Sequence, residues 1–378
     1  MYYVVVKQRP MYHQVTLEEF LSGTIKDTGL ITSNISNTRT YMTSDISDKL
    51  REFANVDKLI EKLVEFNEET QYLRYVDRKS LYREFYIPKH SGGLRKIDAP
   101  NDELKAALRS LGDIFKDNFG ALYHTSAFAY IKKRCTIDCL KKHQANESKW
   151  YGKTDFSNFF GSVTLEYTMS VLKMLFPFCL VCEREDGEEE LRKALELAFL
   201  DGGLPQGTPL SPPLTNIIMI PIDHKLSNVL RNYNGQHFVY TRYADDIQIS
   251  SKQHFDMNEI VKLINATLQE FGAPFRIKPE KTRYGSISGR NFNLGLMINK
   301  ENNITIGHKT KKRFEAMLHS FIMDTVNGKP WNLSDVQTLN GLIGYYKTVE
   351  GEVIDNIIKH VGNKHNVDVS KMIKEQIS

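Results

Sequence analysis

Two β-patterned runs, Val239–Tyr243 and Ile247–Ser250, close on a pair of adjacent carboxylates, Asp245 and Asp246. Like charges at the tip of a strand–turn–strand repel each other, and the following Ile247 and Ile249 call for burial. Bound divalent cations would offset that repulsion. Taken alone, the pair reads more readily as a hairpin turn than as a metal site. A second strand, Trp150–Asp155, also ends on a carboxylate, Asp155, which by itself reads more readily as a helix N-cap. Together, Asp155 and Asp245 on adjacent strand ends could share two Mg²⁺ ions roughly 3.5–4 Å apart, an arrangement that activates a 3′-hydroxyl and stabilises a leaving pyrophosphate.

A third element lies between them. Gly203-Leu204-Pro205-Gln206-Gly207-Thr208-Pro209-Leu210-Ser211-Pro212 enters an apolar helix. Glycines let a backbone approach a flat partner closely. A helix–helix linker with proline stops accounts poorly for the glycines at 202, 203 and 207 and the lone glutamine.

The chain has room for two or three packed subdomains, with 378 residues, 41% of them hydrophobic and 25% charged. That composition excludes a disordered, collagenous or fibrous chain. No apolar run reaches bilayer length, so no membrane association is expected. The N-terminus lacks the basic region and small-residue cleavage site of a secretory signal. Four cysteines make no disulfide scaffold, so a reducing cytoplasm is expected. The net charge of +4 neither demands nor excludes a polyanionic partner.

Along the chain, the patterning predicts a strand at 2–6, a helix near 17–21 and a polar loop over 22–47. A helix follows over 46–66, then a hairpin of 85–87 and 94–97 turning at His90-Ser91-Gly92-Gly93. Helices are expected over 101–118, 134–147, 164–175, 189–200, 216–230, 260–271 and 313–326. An acidic loop is expected at 183–190, further strands at 275–277 and 292–298, and mostly helix thereafter. No internal repeat is present.

The order Asp155-Phe-Ser-Asn-Phe-Phe, Leu204-Pro-Gln-Gly-Thr-Pro-Leu-Ser-Pro, Arg242-Tyr-Ala-Asp-Asp resembles a reverse transcriptase, closest to the bacterial branch of retron, group II intron and phage-defence enzymes. Tyr86-Ile-Pro-Lys-His-Ser-Gly-Gly-Leu-Arg-Lys-Ile resembles the family's fingers hairpin, Lys278-Pro-Glu-Lys-Thr its palm lysine motif, and Phe292-Asn-Leu-Gly-Leu-Met-Ile-Asn its primer-grip hairpin. The resemblance spans about Ser80 to Ile306. It implies an α+β right-hand polymerase: an N-terminal extension over 1–75, fingers and an antiparallel palm over 76–306, and a helical thumb over 307–378. The implied reaction is RNA-directed addition of dNTPs to a 3′-hydroxyl.

The resemblance also implies roles. Asp155 and Asp245 would be the principal ligands of two Mg²⁺, with Asp246 a third carboxylate. Backbone around Phe156 to Phe159 would touch the triphosphate, and Phe160 would be a steric gate against the ribose 2′-hydroxyl. Lys89 and Arg95 would hold β- and γ-phosphates, although both could be solvated hairpin charges. Gln206 and Gly207 would lie under the nascent base pair. Lys281 is a candidate general acid or a surface lysine. Tyr243, Leu294 and Gly295 would meet primer or template, and Lys311, Lys312 and Arg313 would meet duplex phosphates.

Of two retron signatures, one is met in part and the other is not matched cleanly. His143 of an Asn-Ala-x-x-His pattern is kept without the Asn-Ala, and neither Ile287-Ser288-Gly289 nor Asn293-Leu294-Gly295 matches Val-Thr-Gly. The chain has no room for the extra catalytic domain of large defence enzymes, so a compact phage-defence enzyme copying a structured non-coding RNA into DNA is expected. Untemplated or protein-primed synthesis and a non-catalytic RNA-binding protein are the rivals, and a homo-oligomer is left open. Cys135, Cys139, His143, Cys179 and Cys182 could bind zinc or serve as core residues. The basic run Lys132, Lys133, Arg134, Lys141, Lys142, Lys149 and Lys153 could line a nucleic-acid path or be a solvated face. Tyr345 and Tyr346 could stack on bases or pack in the core.

Overall fold

In the computed structural model, which describes residues 3–7, 12–16, 55–89, 92–119, 123–289 and 294–377, four antiparallel sheets are present among the described residues. β1 (Tyr3–Lys7) pairs with β2 (Tyr12–Thr16). β3 (Tyr82–Pro88) and β4 (Leu94–Pro100) form an unbroken two-stranded ribbon from Tyr82↔Pro100 to Pro88↔Leu94. The central sheet is built on β5 (Trp150–Ser157), with β6 (Phe238–Tyr243) and β7 (Asp246–Ser251) ordered β6-β7-β5 on one side. On the other side of β5 lie β8 (Arg276–Ile277) and β9 (Arg283–Ser286). β10 (Met297–Ile298) and β11 (Ile304–Thr305) make a short hairpin before the C-terminal helices His308–Val326, Leu333–His365 and Val369–Ile377. The expected helix near 17–21, polar loop over 22–47 and first part of the 46–66 helix lie outside the described residues. So do His90, Ser91, Phe292 and Asn293.

Helices back the central sheet closely. Gly152 of β5 permits this, because a Cβ there would collide with Met257 Sδ, at the start of the helix Met257–Glu270. The helix Val56–Glu69 buries Leu59, Ile60 and Leu63 in the core shared with Leu191 and Leu195. The last part of the segment read as an N-terminal extension is thus continuous with the central unit. A second core joins Phe128, Leu140 and Tyr151 to Phe314, Phe321, Leu339 and Ile354 of the C-terminal helices.

Three expectations are corrected. Of the strand expected over 292–298, the described part is a turn at Leu294 and Gly295, both at positive φ, followed by the two-residue strand Met297–Ile298. The acidic run 183–190 is not a loop: the helix Glu185–Glu196 begins inside it, with Glu185, Asp186 and Glu188 in its first turn, where the helix dipole favours acids. The helix expected over 216–230 is two helices. Ser211–Ile218 starts early because Thr208 Oγ1 accepts from the Ser211 amide and Pro212 suits the first turn. Pro221 then opens a new helix, Ile220–Arg231.

Candidate active site

Three adjacent strands bring the singled-out groups to one end of the central sheet. Asp155 and Asp246 are directly paired across β5 and β7, and the Phe156 amide donates to the Asp245 carbonyl at 3.1 Å. On the far side of β5, the β8–β9 edge is interrupted by a single turn, Pro279–Lys281, opposite Asp155. The Lys278 amide donates to the Asp155 carbonyl, and the Lys281 ammonium rests on Asp155 Oδ2. Thr154 and Thr282 hydroxyls, 3.0 Å apart, tie the turn to β5.

The electrostatics follow from this crowding. Burial, then the Asp155 and Asp246 charges, push the Asp245 carboxyl from 3.8 up to about 6. The hydrogen bond to Asp155 raises the Lys281 ammonium. Asp155 Oδ1 is buried without a hydrogen-bond partner. Asp246 is held by Lys153 at 3.1 Å. Among the described residues no three Asp, Glu, His or Cys side chains stand close enough to enclose a cation as they are placed here. The donor set nevertheless fits Mg²⁺: two hard carboxylates, one with an orphaned oxygen, the other destabilised as an anion, beside an ammonium that supplies the missing positive charge.

The turn carrying Asp245 is braced from behind. Ala244 has φ +56°, a left-handed conformation that a non-glycine residue holds only when its surroundings impose it. Arg242, fully buried, donates from Nη1 to the Ala244 carbonyl at 3.1 Å and to Asn216 Oδ1 at 3.0 Å. Its other nitrogens pair with Asp223, which also accepts from Tyr240 Oη at 2.6 Å. The Asn216 amide in turn donates to the Ala129 carbonyl at 2.7 Å. Sequence reasoning placed Arg242 in its motif without a role and missed Asp223 and Asn216; the local signal was an arginine inside a strand run that calls for burial.

The remaining residues divide. Lys89 and Arg95 lie on the exposed β3–β4 ribbon with no ion-pair partner among the described residues. Gln206 and Gly207 abut that ribbon: the Asp98 amide donates to the Gln206 carbonyl at 2.7 Å, and Gly207, at φ +121°, leaves its Cβ position to Ile97 and Asp98. Phe156 points into the core against Phe159 and Phe275, and its own amide donates to the Asp245 carbonyl within the sheet. Phe160 is partly exposed and packs on Phe159 and Tyr130. Leu294 and Gly295, both at positive φ, make a tight turn before β10. Tyr243 is partly buried near Cys135, Cys139 and Tyr345. Lys312 and Arg313 are exposed, whereas the Lys311 ammonium is held by Glu350 at 2.6 Å. Glu350 interrupts the helix Leu333–His365 (φ −142°, ψ 60°) and also accepts from Thr305 Oγ1 and the Ile306 amide.

Several candidate nucleic-acid or metal contacts are engaged within the fold. Arg134 donates to the His124 and Ala127 carbonyls, and Lys142, lowered by burial to about 8, donates to the Thr125 carbonyl. Both His143 nitrogens meet hydroxyls, of Ser250 and Thr241, and burial lowers the ring to about 3. Cys139 contacts Thr241, Cys135 caps its helix with Asp138, and Cys179 is core. Tyr346 packs edge-on against Phe314, while Tyr345 faces outward. No helix among the described residues is long and apolar enough to cross a membrane.

Comparison with known proteins places the chain in a family. A family model described as "Reverse transcriptase (RNA-dependent DNA polymerase)" matches residues 87–315. The Escherichia coli retron Ec73 reverse transcriptase is 27% identical over 293 residues, covering 74% of this chain and 89% of that protein. The Escherichia coli retron Ec83 reverse transcriptase is 27% identical over 305 residues, covering 77% and 90%. A solved telomerase from Candida albicans in complex with a telomeric RNA fragment has a TM-score of 0.47 at 12% identity, covering 76% of this chain and 54% of that one.

Proposed function

The chain belongs to the reverse transcriptase family, the RNA-dependent DNA polymerases, and on that premise we propose how its own residues would carry the reaction. Asp155 and Asp245 would hold two Mg²⁺, with Asp246 an outer third carboxylate. Bound there, the ions would activate the primer 3′-hydroxyl and neutralise the leaving pyrophosphate. Lys281, already beside the carboxylates, would donate a proton to that pyrophosphate. Lys89 and Arg95 would grip the triphosphate from the exposed ribbon, Phe160 would exclude the ribose 2′-hydroxyl, and Gln206 and Gly207 would support the new base pair. Leu294 and Gly295 would steady the primer end, and Tyr243 would face it. Lys312 and Arg313 would follow duplex phosphates, with Lys311 shaping the thumb through Glu350.

In this proposal the fingers and palm extend to residue 306 and take in the helix Val56–Glu69, and the thumb follows from 307. The template is a structured non-coding RNA, the product is complementary DNA, and the setting is anti-phage defence. What most directly supports the chemistry is the meeting of Asp155, Asp245 and Lys281 at one sheet end, with Asp155 Oδ1 unpartnered.

The test is to sequence, strand by strand, the nucleic acid that co-purifies with the wild type and with Asp245→Asn. A discrete non-coding RNA in both, with complementary DNA only in the wild type, is expected. A homopolymer, or DNA matching no cellular RNA, would move the reaction to untemplated synthesis. The defence role requires that phage challenge distinguish cells carrying the wild type from cells carrying Asp245→Asn; equal survival would remove it.

A further inference from the structure

Tyr130 is a large aromatic residue in a place where packing alone does not account for it. Its backbone is left-handed, at φ +61°, and its side chain is 55% exposed. A bulky residue at positive φ is strained, and such strain persists where the surroundings over-determine it. Here they do. The segment leading to it lies along β6: the Arg242 amide donates to the Ser126 carbonyl at 2.7 Å and the Phe128 amide to the Arg242 carbonyl at 2.9 Å. The Arg134 guanidinium clamps the His124 and Ala127 carbonyls, and Asn216 holds the Ala129 carbonyl. Ala127, Phe128 and Ala129 are buried, so the strap is anchored up to the residue before Tyr130 and then releases that ring outward.

The ring stands 6.4 Å from that of Phe160, at 49°. Burial, then the Asp245 and Tyr243 charges, raise its phenol, and Arg95 lowers it. Tyr130 is therefore within electrostatic reach of the carboxylate turn and of the basic ribbon, with its ring beside that of Phe160. A nucleoside triphosphate spanning from Arg95 to Asp245 would pass across this ring.

We propose that Tyr130 is a specificity-determining residue of polymerisation: with Phe160 it walls the pocket for the sugar of an incoming deoxynucleoside triphosphate and prevents the Phe160 ring from swinging aside. The inference rests on Phe160 being the sugar gate. Aromatic pairs of this kind hold each other in place, and one wall of a close-fitting pocket changes substrate preference by about tenfold or more.

Tyr130→Gly gives the most direct test, because glycine deletes the ring and relaxes the left-handed backbone. Primer extension on poly(rA)/oligo(dT) would be measured with dTTP and with UTP, beside Tyr130→Phe and Phe160→Ala. For Tyr130→Gly, the KM for dTTP should rise and the dTTP/UTP preference fall, each about tenfold, with kcat nearly unchanged and the melting temperature at or above that of the wild type. Tyr130→Phe should retain both values. Wild-type KM and preference in Tyr130→Gly would overturn the proposal, as would a loss of kcat matched by a loss of stability. If Phe160→Ala keeps the wild-type sugar preference, the gate itself fails, and Tyr130 is then judged on the dTTP KM alone.

Discussion

The turn that carries Asp245 and the ribbon that carries Lys89 and Arg95 are both antiparallel β-hairpin structures, yet they are held in opposite ways. Behind the turn, Arg242, Asp223 and Asn216 form a buried network in which one guanidinium serves a carboxylate, an amide and the Ala244 carbonyl at once. The ribbon's polar pairs, Lys96 with Glu84 and Asp98, and Tyr86 with Glu84, lie mainly at the surface. Its link to the Gly-Pro loop is the bond from the Asp98 amide to the Gln206 carbonyl, with Gly207 packed close by. A two-stranded ribbon is only marginally stable by itself. Carboxylates that share cations must be placed to tenths of an ångström, and buried, fully connected polar groups do that. Cations that grip a mobile triphosphate gain from being able to follow it.

The sharpest way to break this contrast is Asp245→Asn. Polymerisation should fall by roughly 10³-fold or more, since several kcal/mol of charge stabilisation leaves the transition state. Stability should move the other way. The folded protein holds the Asp245 proton up to about 6, whereas the unfolded chain gives it up near 3.8. The metal-free protein therefore loses stability as pH rises from about 4 to about 6, and the penalty is complete above that. Asp245→Asn should remove on the order of 1–3 kcal/mol of this penalty. Melting curves in chelator at pH 5 and pH 8 would show a gain at pH 8 roughly twice that at pH 5.

Next in size is the network itself. Arg242→Ala leaves the Asp223 carboxylate buried without a counter-charge and should cost about 3–5 kcal/mol in urea unfolding. Lys96→Ala on the ribbon should cost no more than about 1 kcal/mol. Equal losses would mean that the two hairpins are held alike. The double variant Arg242→Met, Asp223→Leu should recover much of the stability but not the activity, because the Ala244 carbonyl still lacks its donor.

Gly207→Ala tests where the two regions meet. The new Cβ would lie 2.8 Å from Ile97 Cγ2 and 2.9 Å from the Asp98 carbonyl oxygen, on a backbone at φ +121°. The ribbon must shift, so the KM for dNTP should rise about tenfold with a stability loss of about 1–3 kcal/mol. Smallest overall is Arg95→Ala: about a tenfold rise in KM for dNTP with unchanged stability, since a charge-assisted phosphate contact is lost while no partner in the fold is abandoned.

The strands around Asp155 and Asp245 were legible because period-two patterning and clustered carboxylates are local signals. Lys281 was legible from its motif, although its place opposite Asp155 depends on where β8 gives way to β9. Phe156 could not be assigned from the motif alone: three aromatic residues lie within Asp155–Phe160, and only packing decides that Phe156 turns inward while Phe160 remains partly exposed. The helix inside the acidic run was missed because charge density outweighed the signal of first-turn acids.

The sequence by itself determined the family, the reaction class and the order of the chemical groups, because that chemistry needs particular side chains at short spacings. Tertiary structure decided which charged groups are free to act. Lys311 pairs with Glu350, Lys153 with Asp246 and Arg242 with Asp223, while Lys89 and Arg95 have no such partner among the described residues. These pairings join residues 19 to 93 positions apart, as their numbers show. A cation's role depends on the carboxylate that folding brings within about 4 Å of it, and no local pattern carries that distance.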